Sequence, residues 1–199
     1  MLVSQKAPDF STSVIRPNGT VDDEFSLYKE INNRYGVVFF YPFDFTFVCP
    51  SELIALHHRM DAFKERDVAV IAVSIDSVHA HRAWRNTPIN QGGIGPVDFI
   101  MAQDVDHAIC QQYQVEHSHV KAATRGTFII DKNQCVRAEL IHDLPIGRNI
   151  DEILRVIDAI SFHEKHGEVC PAGWQTGQKA MQASPEGVKE YLSENAQEL

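Results

Sequence analysis

Two short, continuously apolar runs constrain the fold of this chain more than any other feature. Residues 37–41 read Val-Val-Phe-Phe-Tyr, and residues 68–73 read Val-Ala-Val-Ile-Ala-Val. A continuous run of this length is typical of a strand that is buried on both faces, as in parallel sheets covered by helices. Between the runs, one apolar stripe indicates a single helix over about residues 50–66, formed by Leu53, Leu56, Met60 and Phe63. The pattern predicts an α/β fold.

The remaining segments complete a thioredoxin-like order of strands and helices. Residues 10–21 are predicted to form a hairpin, in which Asn18-Gly19 is a type I′ turn signal. The further predicted elements are a helix over 79–86, a strand over 97–101, a helix over 104–113, a hairpin of 126–131 with 135–141, and a helix from about 149. We therefore expect an α/β, thioredoxin-like fold with a central mixed sheet, an N-terminal hairpin and an extended C-terminal arm.

The composition of the chain changes after His166, where glycine and proline become frequent. The remainder is broken by Gly167, Pro171, Gly173, Gly177, Pro185 and Gly187. Within it, Ser184-Pro185-Glu186 is a helix-start signal, because proline suits the first helical position and an acid suits the first turn. Val188, Tyr191 and Leu192 then fall on one face of a short helix. We predict a main domain over residues 1–166 and an arm over residues 167–199.

The composition excludes several classes of protein. The 199 residues carry a formal net charge of −9, so a phosphate backbone or an anionic membrane is a poor partner. No apolar run approaches the roughly 20 residues of a membrane-spanning helix, and the first residues lack an apolar signal core. We therefore expect a cytoplasmic protein with no nucleic-acid or membrane partner. In that reducing compartment the four cysteines are not a structural disulfide framework: Cys49, Cys110, Cys135 and Cys170.

Cys49 is the cysteine best placed to react. It lies in a loop that joins a predicted buried strand to a predicted helix, the edge of an open α/β sheet where sites form. Pro50 suits the first helical position, which places Cys49 at or beside the N-cap. There, unpaired backbone amides and the positive end of the helix dipole favour a thiolate. Thr46 lies within reach of the sulfur, and Glu52 lies in the first helical turn.

The surroundings of Cys49 favour reaction with a peroxide over other thiol chemistry. Hydrolysis would need a histidine base, and the histidines form no recognisable Cys–His protease signature. A thioredoxin-type dithiol would need a cysteine at position 52, which is Glu52. Attack on a peroxide O–O bond needs neither, and it gives a sulfenic acid that a second thiol can resolve as a disulfide.

The second thiol and a nearby cation are less strongly indicated. Cys170 lies in the arm and is the better candidate for resolution, whereas Cys110 and Cys135 have the pattern of packed residues. Arg125 and Arg148 each precede a predicted element and could hold a thiolate or a peroxide oxygen. An arginine at the end of an element is usually solvated, so spacing alone assigns a role to neither.

These motifs resemble those of the typical 2-Cys peroxiredoxins of the alkyl hydroperoxide reductase C type. The Pro-x-x-x-Thr-x-x-Cys pattern of that family appears as Pro42, Thr46 and Cys49, and its second Val-Cys-Pro appears at residues 169–171. The resemblance extends over essentially the whole chain and includes residues 73–77, Trp84 and residues 143–148.

The resemblance implies a complete mechanism. Cys49 would be the peroxidatic cysteine, and the arm would carry Cys170 as the resolving cysteine. The other implied site residues are Thr46 and Arg125, which activate the thiolate and bind peroxide, Pro42, which shields the site, and Glu52 and Arg148, which orient Arg125. The family further implies a homodimer with two intersubunit disulfides, often five dimers in a ring, with no metal and no bound organic cofactor. Its substrates are hydrogen peroxide and organic hydroperoxides, and its electrons come from thioredoxin or a flavoprotein disulfide reductase.

The chain departs from the family pattern in three places. Ser51 replaces the usual threonine after Cys-Pro and keeps its hydroxyl. Gly92-Gly93-Ile94-Gly95 matches the loop linked to over-oxidation with a conservative change, and the partner Tyr-Phe pair appears as Tyr191-Leu192. A weaker lock on the tail would leave the Cys170 arm freer to move. We therefore expect this chain to over-oxidise less readily than members with Tyr-Phe.

Other functions stay open at the level of sequence. A ring-forming holdase chaperone or a peroxide-signal relay with slow turnover would need the same residues, and a thioredoxin-fold binding module with an inert thiol is a third interpretation. A zinc site of His163 and His166 near Cys170 is a further alternative, but its spacing is not that of a standard structural set. No metal site is predicted.

Overall fold

The computed structural model describes residues 1–197 and contains a mixed sheet with helices. The strands are β1 (Ser11–Ile15), β2 (Val21–Ser26), β3 (Tyr35–Phe40), β4 (Val68–Ser74), β5 (Ile100–Gln103), β6 (Arg125–Ile130) and β7 (Val136–His142). The helices are α1 (Leu27–Glu30), α2 (Cys49–His57), α3 (Met60–Glu65), α4 (Val78–Asn86), α5 (Ala108–Gln112), α6 (Ile150–His166) and α7 (Pro185–Asn195), with a 3₁₀ turn at Ile89–Gln91.

The seven strands form one sheet in the order β2-β1-β5-β4-β3-β6-β7. β3 pairs in parallel with β4, and β4 pairs in parallel with β5, whereas the other neighbours are antiparallel. Every residue of β3, β4 and β6 is buried. The two apolar runs therefore form the centre of the sheet, and the predicted mixed, thioredoxin-like α/β fold is confirmed.

The predicted single helix over residues 50–66 is wrong, because the chain turns between α2 and α3. Arg59, which precedes α3, has φ −105° and ψ 2°, outside the helical region. The four residues of the apolar stripe are nevertheless all buried, since the turn keeps them on the same side: Leu53, Leu56, Met60 and Phe63. Burial of the stripe, which the pattern predicted correctly, does not require one continuous helix.

Three other local predictions need correction. The hairpin between β1 and β2 is present, but its turn is not type I′, which needs left-handed residues at both central positions. Gly19 is left-handed, with φ 84°, and its amide donates to the Arg16 carbonyl at 2.8 Å. Asn18 is not left-handed. Pro17 therefore occupies the second position of a type I turn followed by a glycine bulge. The strand expected over 97–101 lies at Ile100–Gln103, and the helix expected over 104–113 is confined to Ala108–Gln112 because His107 is left-handed, with φ 63°.

The chain divides into two compact units, Met1–Ile150 and a second that begins at Asp151. In the second unit, α7 begins where Ser184-Pro185-Glu186 predicted, and the Ser184 hydroxyl accepts from the Gly187 amide at 3.0 Å as an N-cap. Of the predicted apolar face of α7, only Tyr191 is buried. The boundary at residues 166/167 stays a prediction. Among residues 1–197, no helix combines the length and apolar character needed to span a bilayer.

Candidate active site

Cys49 is the first residue of α2, immediately after the loop that leaves the buried strand β3. Pro50 is at the second helical position rather than the first, and Val48 is the N-cap. The sulfur therefore lies beside the positive end of the helix dipole, as the sequence predicted. The residue is only 1% exposed, and a cleft of about 440 Å³ reaches it.

Arg125 is a cation in direct contact with the sulfur. Its Nη1 donates to Cys49 Sγ at 3.4 Å and to Glu52 Oε2 at 2.7 Å. Its Nε donates to the Leu144 carbonyl at 2.7 Å, which fixes the plane of the guanidinium. The side chain is buried at the start of β6. Arg125 is therefore not solvated, although an arginine at the end of an element usually is. The guanidinium is therefore a fixed, charged hydrogen-bond donor that faces the sulfur.

Glu52 joins Arg125 to a second buried guanidinium, that of Arg148. The Arg148 amide and Nε donate to Glu52 Oε1 at 2.8 and 2.9 Å, and its Nη2 donates to Oε2 at 3.0 Å. Burial acts to raise the pKa of Glu52, but hydrogen bonds and the positive charges of Arg148 and Arg125 outweigh it and hold that pKa below its ordinary value. The carboxylate is therefore ionised and bridges the two arginines.

The charges of this buried cluster do not balance while Cys49 is a thiol. Arg125 and Arg148 contribute two positive charges, and Glu52 contributes one negative charge. Uncompensated charge is costly in a buried site. A thiolate at Cys49 would supply the missing negative charge.

Pro42 and Thr46 line the cleft that leads to Cys49. The other lining residues are Phe43, Phe47, Val48, Arg125, Leu144 and Pro145. The Thr46 hydroxyl donates to the Phe43 carbonyl at 2.9 Å, so the contact with the sulfur that the sequence suggested is replaced by a backbone contact in this structure. Six of the seven predicted site residues thus lie around one cleft and its supporting ion cluster.

Cys170, the seventh predicted site residue, lies in the second compact unit. It follows Val169, which pairs with Met181 through backbone hydrogen bonds of 2.9 and 3.0 Å. Its thiol is half-buried and contacts the Ala159 carbonyl at 3.5 Å. Burial raises the pKa of this thiol, the nearby Arg155 guanidinium opposes that rise, and Glu168 adds to it. All four cysteines are free thiols in this structure.

Residues 3–139 match the AhpC/TSA family, and residues 159–194 match the C-terminal domain of 1-Cys peroxiredoxin. The chain belongs to the AhpC/TSA family. It is 49% identical over 199 residues to the alkyl hydroperoxide reductase C of Helicobacter pylori, covering 100% of both chains. It is also 49% identical over 191 residues to the protein of the same name from Buchnera aphidicola of Schizaphis graminum, covering 96% of each.

A solved structure gives the same assignment. The reduced 2-Cys peroxiredoxin of Plasmodium vivax superimposes with a TM-score of 0.94 at 43% identity, covering 97% of this chain and 99% of that one. Together these relationships make the chain a peroxiredoxin enzyme, that is, a thiol-dependent peroxidase. The holdase or relay interpretation and the inert binding module are not favoured.

The peroxiredoxin site includes groups that the sequence analysis did not assign. The Leu144 carbonyl holds Arg125, and a backbone acceptor has no signal in a sequence. Phe39 lies beneath Arg148, with the guanidinium carbon 3.3 Å from the ring centroid. The Gly126 carbonyl and the Thr127 hydroxyl accept from Arg148 Nη1 at 2.9 and 3.1 Å. Alternation along β3 and β6 could not reveal these contacts, because both strands are buried on both faces.

The two remaining cysteines of this peroxiredoxin differ in exposure. Cys110 is fully buried in α5, as expected of a packed residue, whereas Cys135 is half-buried just before β7. Among residues 1–197, the alternative zinc ligands His163 and His166 do not belong to a cluster of three potential metal ligands. His163 Nδ1 instead lies 2.7 Å from the Glu168 carbonyl.

Proposed function

We propose that Cys49 is the peroxidatic cysteine of this enzyme. Its thiolate attacks one peroxide oxygen, the O–O bond breaks, and Cys49 becomes a sulfenic acid while the other oxygen leaves, with one proton, as water or an alcohol. The observation that supports this most strongly is the Arg125 donor 3.4 Å from Cys49 Sγ, inside a buried cluster that lacks one negative charge. The same donor is placed to hold a peroxide oxygen as its charge develops.

We assign Glu52 and Arg148 to the positioning of Arg125. Glu52 accepts hydrogen bonds from both guanidiniums, and Arg148 is held in turn by the strand β6 and by the Phe39 ring. Within the described site, neither residue donates a hydrogen bond to the sulfur, so each acts through Arg125. A correctly aimed guanidinium costs no reorganisation when the transition state forms.

We assign Thr46 and Pro42 to the binding and shielding of the peroxide. Thr46 can exchange its hydrogen bond to the Phe43 carbonyl for one to a peroxide oxygen in the cleft. Pro42 and its apolar neighbours limit water near the thiolate, which strengthens the electrostatic contacts there. The volume of about 440 Å³ and the largely apolar walls suit hydrogen peroxide and the hydrocarbon part of an organic hydroperoxide.

We assign resolution of the sulfenic acid to Cys170. Its thiol attacks the Cys49 sulfur, a disulfide forms, and water leaves. The two sulfurs must approach to about 2.05 Å, and Cys49 is 1% exposed, so the first turn of α2 must open for this step.

We place the disulfide between the two subunits of a homodimer, as the family resemblance implies, with five such dimers forming a decameric ring.

Replacing Cys170 by serine tests the role of the resolving thiol. We expect Cys170→Ser to keep the first, stoichiometric oxidation of Cys49 and to lose recycling through a disulfide reductase, because no thiol is left to form the substrate of the reductant. The measurement is peroxide consumption in single-turnover and steady-state assays. Cys135→Ser is the matched control and should turn over normally. Full steady-state turnover by Cys170→Ser would contradict the assignment.

Reductant and location are part of the same proposal. Thioredoxin and a flavoprotein disulfide reductase both reduce exposed protein disulfides, and we propose that one of them supplies the two electrons. Steady-state assays with each reductant in parallel distinguish the two. Because the cycle needs Cys49 and Cys170 as thiols, we place the enzyme in the cytoplasm, where thiols stay reduced.

The exposed end of α7 carries the prediction on over-oxidation. Leu192 is 44% exposed and stands where the family pattern has phenylalanine. We expect Leu192→Phe to increase the yield of Cys49 sulfinic acid at a given peroxide excess, because a larger apolar contact holds the tail and delays resolution. Mass spectrometry of the Cys49 peptide after peroxide titration measures this. Val188→Phe, at a position 39% exposed on the same helix, is the control; an equal rise in that variant, or no rise in Leu192→Phe, would refute the idea.

A further inference from the structure

A second group of metal-binding side chains lies around α5. Among residues 1–197, His107, Cys110 and Glu116 form the group of three potential ligands close enough to share an ion, with their ligand atoms all within 4.8 Å of one another. Imidazole, thiolate and carboxylate are the ligands that zinc takes in proteins. None of the three residues belongs to the Cys49 cluster. We propose that they bind a divalent cation of the zinc class.

The backbone around α5 holds these ligands in place. The Asp104 carboxylate accepts from the amides of Ile109 and Cys110, both at 2.8 Å, and so fixes the start of the helix. His107 adopts φ 63°, a conformation that few non-glycine residues take. In this conformation its Nδ1 lies 2.9 Å from Glu116 Oε1. The imidazole and the carboxylate therefore converge beside the thiol.

The spacing of the ligand atoms matches a tetrahedral site after small shifts. Ligands bound at zinc distances of about 2.0–2.3 Å lie about 3.3–3.8 Å from one another. The observed separations, from 2.9 Å for His107 to Glu116 up to 4.8 Å, bracket that range. The Lys121 ammonium is 3.7 Å from Glu116 Oε2 on a largely exposed side chain. It can turn to solvent as a cation enters.

Binding at this cluster replaces a proton by the metal. The Cys110 sulfur binds as a thiolate, so one divalent cation enters and the thiol proton is released to solvent. The half-exposed His107 and Glu116 form the entrance, and the buried thiol lies inside.

Cobalt(II) added to the reduced, full-length protein tests the site directly, because cobalt replaces zinc and reports a bound thiolate by a charge-transfer absorption band. We expect the band to appear in the unchanged chain, to disappear in Cys110→Ala, and to persist in Cys135→Ala, which removes the other non-reacting thiol. Absence of the band, or its survival in Cys110→Ala, would overturn the proposal, since the metal would then be unbound or held by Cys49 or Cys170.

Zinc calorimetry gives a second, independent measurement. We expect His107→Gln and Glu116→Gln each to weaken zinc binding by at least about tenfold, with release of one proton per ion in the unchanged chain. His163→Gln, on α6, should bind zinc as the unchanged chain does. Both test positions are half-exposed, so their variants should fold even if Cys110→Ala does not. Unchanged affinity in both variants, or zinc binding only at millimolar concentration, would refute the site.

Discussion

Replacing Cys49 by serine should abolish peroxide turnover. We expect kcat/KM to fall by at least about 10⁴-fold, the scale on which enzymes lose activity with their nucleophile, because a serine hydroxyl is not ionised at neutral pH and attacks the O–O bond poorly. The change is nearly isosteric, and the new hydroxyl lies within reach of Arg125, so the fold should persist. Peroxide consumption with a saturating disulfide reductant measures the loss, and thermal unfolding checks the fold.

Cys135→Ser is the control for the Cys49 variant, because it removes a thiol of similar size from a half-buried position outside the cluster. It should retain the activity of the unchanged chain. If Cys49→Ser kept turnover while Cys135→Ser lost it, the nucleophile would have been assigned to the wrong cysteine. The charge imbalance around Arg125 would then have no bearing on catalysis.

Replacing Glu52 by glutamine should lower both stability and activity. The variant leaves Arg125 and Arg148 buried side by side without their shared carboxylate. Breaking a buried ion pair by removal of one partner costs about 3–5 kcal/mol, so we expect a loss of that order in the free energy of unfolding. Activity should fall as well, since Arg125 loses a contact that aims it at the sulfur. Urea unfolding and steady-state assays measure the two effects.

The stability effect of Glu52→Gln should depend on pH in one direction. Because the folded state holds the pKa of Glu52 below its ordinary value of 4.5, the ionised carboxylate stabilises the fold above that value, and this contribution is lost as the pH falls through the lower, folded pKa. The difference between the two proteins should therefore be largest near neutral pH and shrink in acid. Glu65→Gln, at an exposed position of α3, should show no such difference. A gap that stayed constant into acid would contradict the role of Glu52.

The central strands were predictable because their information is local. The runs at residues 37–41 and 68–73 are apolar at every position, and a strand buried on both faces is the element that such runs form best. The end of α2 was not predictable in the same way. His58 and Arg59 are both compatible with a helix, and the apolar stripe stays buried across the turn, so periodicity continues where the helix does not.

The ion cluster shows where sequence reasoning stops. Arg125 and Arg148 carry no local sign of burial, and their environment depends on Glu52, which lies 73 and 96 positions away along the chain. Only the packing of α2, β6 and the segment before α6 brings the three together. Their expected roles came from the family resemblance and not from spacing. The contacts that complete the cluster, the Leu144 carbonyl and the Phe39 ring, follow from the packing of the site and are not marked by any motif.

One equivalent of hydrogen peroxide, added to the reduced, full-length protein and followed by a non-reducing gel and mass spectrometry of the peptides, tests the proposed catalytic cycle directly. We expect a covalent dimer linked through Cys49 and Cys170, with Cys110 and Cys135 still free. Absence of a linked dimer, or a disulfide that involves Cys110 or Cys135 in place of Cys49, would contradict it.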